Sequence, residues 1–71
     1  MDLYIPTELI NESCVLRAIS DYSHLASIAL KRDGRYWFFH FSNCRVRPLL
    51  TVREFENYLI SLAVGNVDGN H

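Results

Sequence analysis

The sequence predicts an α+β fold: one small domain, in the order β-α-β-β-α, with a three-stranded sheet and two helices on one face. Three observations point there. An Asp-Gly dipeptide separates two β-prone runs, an apolar stripe at helical spacing precedes it, and a second such stripe lies near the end of the chain. The 71 residues allow one domain. Apolar residues are 49 % and charged residues 21 %, which is globular composition and excludes a wholly disordered chain. A folded chain of this mass exposes roughly 4,600 Å² and buries about 60 % of its open surface, so its stability margin is small. No apolar run approaches the length of a membrane-spanning helix.

Leu3-Tyr4-Ile5 is short, apolar and β-prone, and Pro6 ends it, as expected of an edge strand. Thr7 or Asn11 can cap a helix. Beyond Asn11 the apolar residues Val15, Ala18, Ile19 and Tyr22 fall on one helical stripe, and Glu12 complements the dipole in the first turn. This predicts a helix over 12–22. Leu25 to Arg32 and Arg35 to Phe41 then read as strands joined by Asp33-Gly34. A type I′ turn there sets Arg32 opposite Arg35, Leu30 opposite Trp37, Ile28 opposite Phe39 and Ala26 opposite Phe41. Those apolar pairs share a core-facing side. The other side pairs Lys31 with Tyr36, Ala29 with Phe38 and Ser27 with His40, and is mixed.

Thr51-Val52-Arg53-Glu54 reads as a capping box, with Leu50 and Phe55 as its hydrophobic staple and Pro48 ending whatever precedes it. Val52, Phe55, Tyr58, Leu59 and Leu62 form the second apolar stripe, and Gly65 suits a left-handed stop. The domain is expected over 1–65, with 66–71 a polar, disordered tail. A helix–hairpin–helix unit without the first strand, and a winged-helix-like arrangement, use most of the same elements.

The net charge is −1, which gives no bulk attraction to nucleic acid or to acidic membranes. Locally the balance differs. Between positions 31 and 53, Lys31, Arg32, Arg35, Arg45, Arg47 and Arg53 meet only Asp33, a local +5. Within this window Arg45 and Arg47 precede a helix N-terminus and are the candidate anion-binding residues. Tyr36 and Phe38 with the basic window would form a stacking platform for single-stranded nucleic acid, a partner the overall acidity disfavours.

The spacings carry no metal motif. His24, His40, Cys14 and Cys44 include zinc-ligand types but no Cys-x-x-Cys or His-x-x-x-His pair. No phosphate loop is present, Glu54 and Glu56 point in different directions on a helix, and no nucleophile signature surrounds Cys44. The expectation is a chain that is not an enzyme and holds no cofactor. The first residues lack a signal-peptide pattern, so reduced cysteines acting as small hydrophobes, in a cytoplasmic setting, are expected. The stronger functional signal is the mixed side of the sheet. Ala29, Tyr36, Phe38 and His40 place apolar and aromatic groups where no helix is expected to cover them, beside unpaired strand edges. These are the candidate peptide- or subunit-binding residues, serving an extended peptide, a protein partner or a second copy of the chain.

The run Ile10-Asn11-Glu12-Ser13-Cys14-Val15-Leu16-Arg17-Ala18-Ile19, the hairpin after it, and Glu54-Phe55-Glu56-Asn57-Tyr58-Leu59 resemble HxsD, the small protein of bacterial His-Xaa-Ser peptide maturation systems. Arg17-Ala18 and Glu54-Phe55-Glu56-Asn57 stand where that family carries a Lys/Arg-Ala pair and a Glu-Phe-x-Asn-like helix. The resemblance spans residues 3–63 and implies an accessory role beside a radical enzyme, whose iron–sulfur cluster belongs to the partner. It carries over no catalytic residue. The chain is also similar in size to PqqD-like peptide-recognition domains, but its strand–helix order departs from their winged-helix pattern.

Overall fold

β1 (Asp2–Pro6), α1 (Glu12–Tyr22), β2 (Ser27–Asp33), β3 (Tyr36–Ser42) and α2 (Pro48–Gly65) follow in the expected order. The structure is a computed structural model and describes residues 1–65. The tail expected over 66–71 lies outside the described residues.

The strands form one sheet in the order β1-β3-β2, with both neighbouring pairs antiparallel. β1 and β2 therefore run parallel to each other with β3 inserted between them, and α1 provides the crossover. Alternation along the strands sorts the side chains. Ile5, Trp37, Phe39 and Phe41 are buried on one side of the sheet. Against them pack Cys14, Val15 and Ala18 of α1 and Val52, Phe55 and Leu59 of α2. Phe55 is the hub: its ring centroid lies 5.2 Å from those of Phe39 and Phe41 and 5.5 Å from that of Tyr22, all edge-on. Burying an aromatic side chain of this kind contributes about 1.5–3 kcal/mol, so this cluster dominates the small core. Trp37 is anchored further. Its indole Nε1–H donates to the Ile10 carbonyl at 2.9 Å, which satisfies a buried polar atom and fixes the loop entering α1.

Asn11 caps α1 as expected, its Oδ1 accepting the Cys14 N–H at 3.0 Å. The helices are joined on their outer side. The Tyr58 hydroxyl donates to the Asp21 carboxylate, and the Tyr22 hydroxyl donates to the Glu54 carbonyl at 3.3 Å. Both cysteines are thiols that pack as small apolar groups, Cys14 within the core and Cys44 against it.

Two local expectations are corrected. Asp33 pairs with Tyr36, so the hairpin loop is Gly34-Arg35 rather than Asp33-Gly34. Positive φ falls on Gly34 (+63°) and not on Arg35. A type I′ turn would need it at both central residues, whereas a glycine at the first central position suits type II′. Pairing consequently slides by two residues: Leu30 faces Phe39, Ile28 faces Phe41, Lys31 faces Phe38 and Ala29 faces His40. Arg32 no longer opposes Arg35. It pairs with Trp37, and its guanidinium lies 5.6 Å from the indole centroid. A slide of two preserves side-chain parity, so both faces keep their expected residues.

The second correction concerns α2, which begins at Pro48, not after Thr51. Proline suits the first helical position because its missing N–H would have no partner there. Thr51 consequently lies inside the first turn. It is buried, and both its N–H and its Oγ1 donate to the Arg47 carbonyl at 3.0 Å. No capping box forms at Thr51, and Leu50 is exposed rather than stapled over Phe55. The apolar stripe from Val52 to Leu62 is as expected.

Candidate functional site

Both helices lie on the Trp37 side, so among the described residues no element covers the opposite side of the sheet. Strand register sets three rows across it: Asp2, His40 and Ala29; Tyr4, Phe38 and Lys31; Pro6, Tyr36 and Asp33. The middle of this face is aromatic. The ring centroids of Tyr4 and Phe38 are 4.8 Å apart, and those of Tyr4 and Tyr36 are 6.2 Å apart at 85°. Tyr4 is 52 % and Tyr36 47 % exposed, while Phe38 is half-buried between its neighbours. Water therefore meets a cluster of three rings in the centre of a sheet, which is costly surface to leave uncovered.

Polar groups frame the rings. At one end the His40 Nδ1 lies 2.7 Å from the Asp2 carboxylate, both side chains about half exposed. At the other a shallow depression of about 570 Å³ is lined by Tyr4, Phe38, Lys31, Arg32 and Asp33. Such a surface offers stacking and apolar contact in the centre, with both signs of charge at the rim. It matches the anatomy of a protein-binding patch.

Of the sequence-predicted residues, Ala29, Tyr36, Phe38 and His40 are all on this face. Tyr4, which contacts both other rings, was missed, as was Asp2, whereas Lys31 stands on this side as expected. Strict alternation in Leu3-Tyr4-Ile5 signals that Tyr4 opposes Leu3 and Ile5 in facing. Its partner strand lies more than thirty residues away, and no local pattern names it. Arg45 and Arg47 are not brought together. Arg45 lines a depression with Ser23, His24, Leu25, Ala26, Ser27 and Asn43, whereas Arg47 lines another with Leu49, Leu50 and Arg53. Pro48, the first residue of α2 and next after Arg47, supplies no amide to an anion at the helix N-terminus. His40 is engaged with Asp2 on the open face, while Cys44 packs against the core. Among the described residues, no three or more His, Cys, Asp or Glu side chains gather as a metal site would require, and no helix is long and apolar enough to cross a membrane.

No protein-family model matches the chain, and no curated protein and no solved structure shows a significant match to it.

Proposed function

We propose that this chain is a non-catalytic docking module that receives a protein or an extended peptide on the open sheet face. The observation that carries the reading is the exposed ring cluster of Tyr4, Tyr36 and Phe38 on a face that no described element covers. Each ring has only two side-chain torsions to fix and already packs against a neighbouring ring, which makes these side chains good anchors. The HxsD-like pattern supports placing such a module in the cytoplasm of a bacterium, as an accessory to a peptide-modifying enzyme that brings its own cofactor. A second copy of the chain is the other occupant this face suits, because an apolar centre with Asp2 on one flank and Lys31 on the other is self-complementary when the copies are turned face to face.

The test is a titration of the chain with a precursor peptide carrying His-Xaa-Ser repeats, followed by amide shifts over residues 25–41. Shifts centred on Tyr36 to His40, abolished by the exposed-face variant Tyr36→Ser with Phe38→Thr, are expected. Unchanged shifts at saturating peptide refute the peptide reading. Sedimentation of the chain at high concentration then decides for or against the second copy.

A further inference from the structure

The two edges of the sheet are not equivalent. The Phe41 N–H donates to the Met1 carbonyl and the Thr7 N–H to the Arg35 carbonyl, each at 2.8 Å. The odd-numbered residues of β3 thus bond towards β1, and the even-numbered ones towards β2. By register, Ser27, Ala29, Lys31 and Asp33 use their backbone groups within the sheet. The N–H and C=O groups of Ile28, Leu30 and Arg32 then point outward, in a row that β3 does not use. The same alternation turns Asp2, Tyr4 and Pro6 outward on β1, and Pro6 has no N–H to offer. β2 is the better template for an added strand.

The surroundings of β2 specify the chemistry of that strand. Ile28 and Leu30 are half-buried on the core side, so they leave part of an apolar strip at the edge. On the open side Lys31 is exposed beside Tyr4 and Phe38. Arg32 is exposed at one end of the strand, and the Arg45 N–H donates to the Leu25 carbonyl at 2.8 Å, which fixes a second arginine at the other end. Asp33, the one acid of β2, is its last residue and lines the same depression as Lys31 and Arg32, so the edge keeps a net positive charge.

Building on the docking reading above, we propose that the β2 edge captures an acidic, extended peptide segment as a fourth strand. Apolar residues of the guest alternate onto Ile28 and Leu30, and carboxylates alternate onto Lys31, with Arg32 and Arg45 at the two ends. A second copy is the poorer occupant of this edge. A two-fold β2–β2 pairing would bring Lys31 and Arg32 of both copies into one seam. A nucleic acid has no row of peptide groups to pair with the outward amides.

The experiment uses the full chain and three acetylated, amidated peptides: one alternating valine with glutamate, one alternating valine with lysine, and the first again with its β2-facing amides N-methylated. Hydrogen exchange and titration are read together. The valine–glutamate peptide is expected to bind and to slow exchange at Ile28, Leu30 and Arg32, and the other two to bind at least about tenfold more weakly. The double variant Lys31→Glu with Arg32→Glu, exposed and away from the core, is expected to reverse the preference towards the lysine peptide. Equal binding of the N-methylated peptide, with shifts confined to Tyr4, Tyr36 and Phe38, overturns the edge proposal and leaves face docking intact. Equal binding of the lysine peptide overturns the acidic specificity. Binding of none, with Trp37 fluorescence unchanged, overturns the edge proposal together with the peptide reading on which it rests.

Discussion

Phe55→Ala is the perturbation whose cost follows most directly from the packing. The ring is fully buried and touches Phe39 and Phe41 of the sheet and Tyr22 of α1, so it is where three elements meet. Truncating a buried phenylalanine costs about 3–5 kcal/mol, from lost transfer energy and the cavity left behind. Three edge-on ring pairs, each worth about 0.5–1.5 kcal/mol beyond area, place this site in the upper part of that range. A domain of 71 residues has about 4–11 kcal/mol in total. The substitution therefore removes between about a third and all of the stability. Urea unfolding followed by Trp37, the only tryptophan, reads this as a fall in midpoint at unchanged slope. A loss below about 1 kcal/mol would refute the packing argument, because it is the size of an ordinary surface change.

Three further outcomes are expected. Glu54→Ala leaves stability within about 0.5 kcal/mol of the parent in the same unfolding assay, since Thr51 bonds Arg47 and not Glu54; a loss near 1 kcal/mol would restore the capping box. Gly34→Ala costs about 1 kcal/mol although a Cβ there meets nothing within 4 Å, because the penalty comes from φ +63° alone; Gly34→Asn costs less, and equal costs would contradict this. The Asp21 carboxylate that accepts its hydroxyl, with burial adding to the effect, holds Tyr58 above the ordinary value of 10.0, and burial with nearby Glu54 raises Tyr22. A raised tyrosine favours the protonated folded state, so this stability is fully present below pH 10.0 and is lost as pH rises through the folded values. Thermal midpoints should fall above pH 10, and Tyr58→Phe should flatten that fall; an unaltered slope would count against the Asp21 contact.

What could be read from the sequence followed from local periodicity. The helix over 12–22 needed only the Val15, Ala18, Ile19, Tyr22 stripe and a capping asparagine, and both are properties of adjacent residues. The two sheet faces were legible for the same reason, since alternation within Tyr36 to Phe41 assigns each side chain irrespective of its partner. Register was not. Asp33-Gly34 and Gly34-Arg35 loops differ in which residue takes positive φ, and relief of the Arg32–Arg35 opposition favours the second. At α2, a capping-box pattern and a first-position proline competed within a few residues. Proline prevailed, since its ring fixes the backbone dihedral that a helix start requires. Tyr4 escaped notice because its role depends on β1 joining β3, a pairing set by long-range packing.

The most direct test is solvent paramagnetic relaxation of the aromatic ring protons in dilute chain, with a soluble chelate as the relaxation agent. Strong enhancement is expected at Tyr4 and Tyr36, intermediate at Phe38, and almost none at Phe39, Phe41 and Phe55. Enhancement at Phe39 and Phe41 with Tyr4 and Tyr36 silent would place the helices on the wrong side of the sheet and remove the docking face.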